Sequence, residues 1–165
     1  MEPVRRARKA VLRLTVLLAA VVLASCSGIT PYRSDLAKNL RIEPKTSSGS
    51  LFQTLNAGVN VYEVDAKCQL VYLGTVKLKD SALDVGLAAN RQIYLEFYFI
   101  KSAVLYSSSS SVDYGLLLRP RPAHEYTAEV SYANDLYKVQ LWEKARSSAP
   151  KRLLERRSLQ TCVPS

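Results

Sequence analysis

The chain is expected to fold as an all-β domain, an antiparallel β-sandwich of about six or seven strands, with a small β-barrel as the alternative. Three observations carry that expectation. Apolar and polar residues alternate with period two repeatedly from Gly58 onward. Clusters of glycine, proline, asparagine and serine punctuate the alternation at short intervals. Apolar spacing of three and four residues, the mark of an amphipathic helix, is scarce.

The start of the chain stands apart from this pattern. Arg5, Arg6, Arg8, Lys9 and Arg13 precede an apolar run of 11 residues, Leu14 to Ala24, broken only by Thr15. A helix needs about 20 apolar residues to cross a bilayer, so the run is short for a permanent anchor. A basic start, a short apolar middle and small residues at its end make a secretory signal peptide. Leu23-Ala24-Ser25-Cys26 resembles the lipobox of bacterial lipoproteins. The resemblance implies that the Cys26 sulfur takes a diacylglycerol, that a peptidase removes residues 1–25, and that the new amine is acylated. Ser27 and Gly28, rather than an aspartate, follow the cysteine. In that family this implies the outer membrane, with the domain facing the periplasm and the acyl chains as its membrane partner. Each buried methylene contributes about 0.8 kcal/mol, so several chains hold stably where one holds reversibly.

Ser27 to Ser50 contains Pro31, Pro44, Gly49 and clustered serines, which read as a linker with one helical turn near Asp35 to Leu40. The expected organisation is a signal peptide over 1–25, a lipidated N-terminus and flexible tether over 26–50, and one β-sandwich over 51–165. An extended tether of that length reaches tens of ångströms, at about 3.3 Å per residue.

The strands follow in order. Val59 to Asp65 alternates imperfectly, with Val59 and Val61 on one side and Tyr62 and Val64 on the other. In the next run Leu70, Tyr72, Val76 and Leu78 share a face while Thr75 and Lys77 turn away, and Gly74 marks a bulge. Ser81 to Gln92 reads as a loop, because Gly86 and Asn90 interrupt it. Arg91 to Ile100 puts Ile93, Leu95, Phe97 and Phe99 on one face, and Tyr94, Tyr98 and Ile100 on the other. With both faces largely apolar it reads as a central strand. Asp113 to Pro120 offers a further strand. Tyr126, Ala128, Val130 and Tyr132 then face inward, Ala133-Asn134-Asp135 turns the chain, and Tyr137, Val139 and Leu141 return, a β-hairpin pattern. Lys151 to Leu159 is expected to make two helical turns, with Leu153 and Leu154 packing down.

After lipidation of Cys26 two cysteines remain, Cys68 and Cys162. In an oxidising compartment they permit one intramolecular disulfide. Free thiols or an intermolecular pair are the lesser reading.

The precursor carries a net charge of +9, but the signal holds five of its 23 basic and one of its 14 acidic residues, leaving 18 and 13, or +5. Nucleic acid loses its main support as a partner there. The residual excess gathers at Glu143 to Arg157. Lys151, Arg152, Arg156 and Arg157 make a candidate patch for an anionic partner such as lipid headgroups or lipopolysaccharide phosphates, against the plainer reading of a solvated loop.

Chemistry is hard to find in this composition. His124 is the one histidine and stands in a proline-rich turn without a nucleophile nearby in sequence. No metal-ligand spacing and no phosphate-binding glycine motif occurs, so no catalytic residue, metal or cofactor is expected. The 10 tyrosines all lie after the signal, mostly in strand runs, where aromatics pack well. Tyr94 and Tyr98 are the pair on a secondary sheet face, and the serines after Tyr106 read as an unconstrained linker. The expected function is a non-enzymatic, outer-membrane-anchored binding or scaffold protein of the cell envelope with a protein partner there. The alternatives are an envelope hydrolase or hydrolase inhibitor, and binding of anionic lipid through the basic stretch.

Overall fold

Two sheets pack face to face, and their open edges rule out a closed barrel. The computed structural model describes residues 29–45, 55–79, 81–102, 109–133, 136–147 and 150–164. Residues 1–25, expected as a signal peptide, Cys26 and the stretch around Gly49 lie outside the described residues. Among the described residues nine strands are formed: β1 (Leu40–Lys45), β2 (Leu55–Val64), β3 (Leu70–Lys77), β4 (Leu83–Val85), β5 (Ile93–Ser102), β6 (Ser109–Leu118), β7 (His124–Ala133), β8 (Leu136–Ala145) and β9 (Arg152–Leu153). One sheet is ordered β4-β1-β7-β8-β9 and the other β3-β2-β5-β6. Among the described residues no helix is long and apolar enough to cross a membrane.

The core follows from alternation. Val59 and Val61 of β2, Ile93, Leu95, Phe97 and Phe99 of β5, and Leu116 and Leu118 of β6 meet Leu40 and Ile42 of β1, Tyr126, Ala128 and Val130 of β7, and Val139 and Leu141 of β8. All are buried, with Val59, Leu95, Phe97 and Ala128 fully inaccessible. Burying each large apolar side chain contributes about 1.5–3 kcal/mol, so these strands cannot slip register without exposing a whole face. β5 is central, pairing with β2 on one side and β6 on the other, and β7 and β8 form the expected hairpin.

Four local expectations give way to tertiary pairing. Asp35 to Leu40 makes no helical turn, and the stretch expected as tether contributes β1, which inserts between β4 and β7. Its pairing with β7 is parallel, whereas the other strand pairs among the described residues are antiparallel. Leu83–Val85 leaves the expected loop to become β4, while Val85 and Leu87 enter the core. The serine run is shared: Ser107 and Ser108 lie outside the described residues, whereas Ser109 to Ser111 begin β6 opposite Ser102 to Ile100. Lys151 to Leu159 forms no α-helix: Arg152–Leu153 is strand, Leu154 to Ser158 is irregular, and Leu159 opens a short 3₁₀ turn that ends at Thr161. Successive leucines then point opposite ways: Leu154 packs against the core and Leu153 faces solvent.

Both termini of the described domain act as straps across the open sides of the sandwich. On one side Pro31 bridges Thr75 of β3, and Tyr32 N–H donates to the Thr75 carbonyl at 2.9 Å. The arm then crosses to the other sheet, where the Tyr32 hydroxyl donates to the Gly86 carbonyl at 2.8 Å. Asn39 completes the clamp, its Nδ2 donating to the Leu87 carbonyl at 2.8 Å and its Oδ1 accepting from Leu87 N–H at 2.7 Å. On the opposite side the C-terminal segment pairs with β8 through β9, and Leu154 N–H donates to the Leu141 carbonyl at 2.8 Å. It then reaches β6, where Leu117 N–H donates to the Arg157 carbonyl at 2.7 Å. Each strap satisfies edge amides that would otherwise invite strand addition.

Candidate functional site

A tyrosine-rich surface forms on the outer face of the four-stranded sheet. Alternation on β5 sends Tyr94, Glu96 and Tyr98 away from the core, and the register sets Glu96 opposite Asn60 and Tyr94 opposite Tyr62 of β2. β3 joins through its bulge. The register between β2 and β3 shifts at Val61/Tyr62, where Leu73 is the extra residue and Gly74 takes φ 138°. That shift corrects the expected inward row: Tyr72 moves to the same face as Thr75, and Leu70 and Tyr72 are exposed while Leu78 stays buried. Only glycine fits at position 74, because φ there is positive and the Tyr32 backbone lies directly against it.

The polar groups of this face form one chain. Tyr72 and Thr75 share a hydrogen bond of 2.5 Å between their hydroxyls. Thr75 Oγ1 donates to Asn60 Oδ1 at 2.6 Å, Asn60 Nδ2 donates to Glu96 Oε2 at 3.0 Å, and the Tyr62 hydroxyl donates to the same oxygen at 3.1 Å. The Tyr62 ring stands between Tyr72 and Tyr94, with centroids 5.5 and 6.1 Å away. Burial, then the charge of Glu96, pushes the Tyr62 hydroxyl up to about 12, and burial raises Tyr94 and Tyr98 as well. These phenols are neutral donors at any physiological pH. The Tyr98 hydroxyl is buried without a hydrogen-bond partner. This surface therefore offers flat apolar rings held in place by an internal hydrogen-bond chain, with one carboxylate among them, which suits binding mainly through stacking.

Two glycines make room for the rings. Tyr94 lies across Gly115 of β6 and Tyr98 across Gly58 of β2, so a methyl group at either position would collide with the phenol. Gly115→Ala is expected to displace Tyr94 and cost about 1–3 kcal/mol in urea unfolding, as overpacking does. Adding Tyr94→Ala should recover most of that loss. Additive losses in the double variant would refute the contact.

The basic C-terminal residues are spent on structure. Lys151 Nζ contacts Glu129 at 3.2 Å and lies 4.6 Å above the Trp142 ring centre. Arg152 pairs with Glu143 at 2.8 Å. Arg156 sits 4.2 Å over the Tyr114 ring and donates Nε to the Gly115 carbonyl at 3.1 Å. Arg157 gives its carbonyl to β6, and its side chain with Arg119 lines an open cleft of about 540 Å³. The row of cations that reads as a binding patch in sequence is thus mainly the strap that holds β6 to β8.

The remaining predicted residues do not converge. Cys68 and Cys162 form a disulfide with Cα atoms 5.9 Å apart, joining the turn after β2 to the end of the C-terminal strap. His124 opens β7, where Nδ1 donates to the Pro122 carbonyl at 2.8 Å. Among the described residues no group of three or more His, Cys, Asp or Glu side chains gathers in a way that could hold a metal. Glu143, which sequence reading passes over, is the notable buried charge, 6% exposed. It accepts from Arg121 Nε and from the Tyr126 hydroxyl, each at 2.9 Å, as well as from Arg152. Burial alone would raise its carboxyl; the hydrogen bonds from Arg121, Arg152 and Tyr126 outweigh that and hold it down to about 2. Compared with known protein families and with curated protein sequences, the chain matches none.

Proposed function

We propose that this protein is a lipid-anchored, non-enzymatic binding or scaffold component of the bacterial cell envelope, held by acyl chains on Cys26 at the periplasmic face of the outer membrane. The anchor rests on the lipobox-like Leu23-Ala24-Ser25-Cys26 after a signal peptide. A disulfide between the remaining cysteines accords with export to an oxidising compartment. The observation that carries the binding role is the outer sheet face, where Tyr62, Tyr72 and Tyr94 adjoin the Asn60–Glu96 pair. Clustered rings around a fixed carboxylate favour an envelope protein partner as ligand. Binding of anionic lipid through Lys151, Arg152 and Arg156 is disfavoured, because their side chains already serve Glu129, Glu143 and Gly115.

The test uses the full chain expressed in a bacterial host with a processing pathway. Intact mass of the membrane-extracted protein should show cleavage before Cys26 and added acyl mass, and Cys26→Ala should move to the soluble periplasm. A photo-crosslinking residue at Tyr94 should then trap a discrete envelope partner that is not trapped from Leu136. An unmodified Cys26 would overturn the anchor. Equal products from the two positions would overturn the binding face.

A further inference from the structure

The apolar edge of β3 provides a second surface, and its occupant follows from where the tether ends. Leu70, Val71, Tyr72 and Leu73 are four consecutive large apolar residues, exposed by 38%, 49%, 42% and 37%. They sit on the outer strand of their sheet, where β2 is the one neighbouring strand among the described residues and the arm at Pro31 bridges β3 at Thr75. Such a run is uncommon on a soluble surface and marks a contact with protein or membrane. Val163, next to the disulfide that ties Cys162 to Cys68, is 82% exposed as well.

The first strap settles how far this edge stands from the anchor. The sequence alone suggests a tether of about two dozen residues, but Pro31 is already bonded to Thr75 of β3. Cys26 stands five residues before Pro31, so the chain itself limits the distance between them to about 17 Å. Lys67 precedes the apolar run in the exposed β2–β3 turn, and Lys77 and Arg33 follow beside Thr75, all three exposed and without an ion pair among the described residues. The nearby Asp65 is turned inward, accepting from Lys67 N–H and Gln69 N–H at 2.8 Å each. Apolar side chains, a tyrosine and flanking cations are the composition of a bilayer interface.

We infer that the β3 edge Leu70–Leu73 rests in the headgroup region of the bilayer that holds Cys26, so that the domain lies against the membrane instead of standing away from it. The inference rests on acylation of Cys26 as proposed above. Seating this edge fixes the orientation of the domain and leaves the far end, around Leu136, toward the aqueous space.

The acylated full chain would be placed in phosphatidylethanolamine–phosphatidylglycerol vesicles containing brominated acyl chains, with Trp142→Phe removing the native tryptophan. Val71→Trp should be quenched, and Leu136→Trp should not. Intact mass of the same samples separates the two readings: acylated protein with no quenching at position 71 overturns the seating and leaves the anchor standing. A missing acyl mass overturns both. Equal quenching at both positions overturns the seating, since it shows no preferred orientation. If a tryptophan variant fails to fold, hydrogen exchange of the unsubstituted protein decides. Slower exchange over Val71–Leu73 on vesicles than in soluble Cys26→Ala protein supports the seating, and unchanged exchange overturns it.

Discussion

Replacing Cys68 and Cys162 together with alanine is expected to lower the unfolding free energy by about 4–5 kcal/mol, the chain-entropy cost of releasing a 94-residue loop. That is a large share of the roughly 5–15 kcal/mol typical of a domain. The loss should be distributed unevenly. The disulfide secures the end of the C-terminal strap to the β2–β3 turn, while β9 pairs with β8 through only two residues. Freed at its end, the strap should open more readily than the sheets, and limited proteolysis should cut after Arg156 or Arg157 before the β5–β6 core is attacked. Denaturant unfolding measures the global term, and the order of cleavage measures the local one. A double variant with an unchanged midpoint and intact C-terminus would show that the bond does not close this loop.

Glu143→Ala is the second large effect. The carboxylate joins three otherwise separate pieces: Arg121 from the turn before β7, Tyr126 of β7, and Arg152 of the C-terminal strap. Removing it leaves the Tyr126 O–H without an acceptor in a residue only 1% exposed, which costs about 1–3 kcal/mol even though the oxygen still accepts from Arg121 N–H at 2.9 Å. Both guanidinium heads remain in solvent, 53% and 68% exposed, so the penalty stays below that of a fully buried pair broken on one side. The pH dependence has a definite sign. The carboxyl is lowered from 4.5 to about 2 in the folded protein, so the unfolded chain binds its proton first as the pH falls. The stabilisation is complete above the unfolded value and is lost between about pH 4.5 and pH 2. With solvent screening the arginines, about 1–2 kcal/mol should vanish between pH 7 and pH 3 in the parent and not in Glu143→Ala. Parallel stability profiles for the two proteins across that range would refute the assignment.

The two effects bear on function because both act on the straps. The tyrosine face needs β3 held at its bulge and β6 held over Gly115, and the two termini meet the sheet near those places. Loss of the C-terminal strap frees the Gly115 carbonyl from Arg156, beside the ring of Tyr94. Weaker partner binding in the disulfide variant would therefore have a structural route without any change at the contact surface itself.

The legible parts of this chain are those where a local pattern has one physical solution. Ile93, Leu95, Phe97 and Phe99 alternate with larger polar or amphipathic residues, and the only way to bury them together is a strand with that face on the core. The β7–β8 hairpin is equally local, since its turn and alternation lie within about 20 residues. The cysteine pairing is legible for a different reason: once Cys26 is set aside, two thiols have one intramolecular partner each.

The candidate surface was only half visible. Tyr94 and Tyr98 can be placed on a secondary face by counting in twos, but Tyr72 joins them only because the bulge at Leu73–Gly74 reverses the parity of β3. A glycine in a strand signals that a bulge exists without saying which residue is extruded. Glu96 and Asn60 meet across β2 and β5, a pairing set by register over more than 30 residues of chain.

Sequence by itself determined the all-β class, the central strand, the hairpin and the one possible disulfide, because period-two burial and cysteine count are properties of short segments or simple totals. Only the tertiary structure decided what the termini do. Leu40–Lys45 and Arg152–Leu153 have weak patterns of their own, and they become strands because unpaired edges of β7 and β8 offer them hydrogen bonds. The same pairing turned a row of cations into a strap, and drew Pro31 to Lys45, expected as tether, into the sandwich.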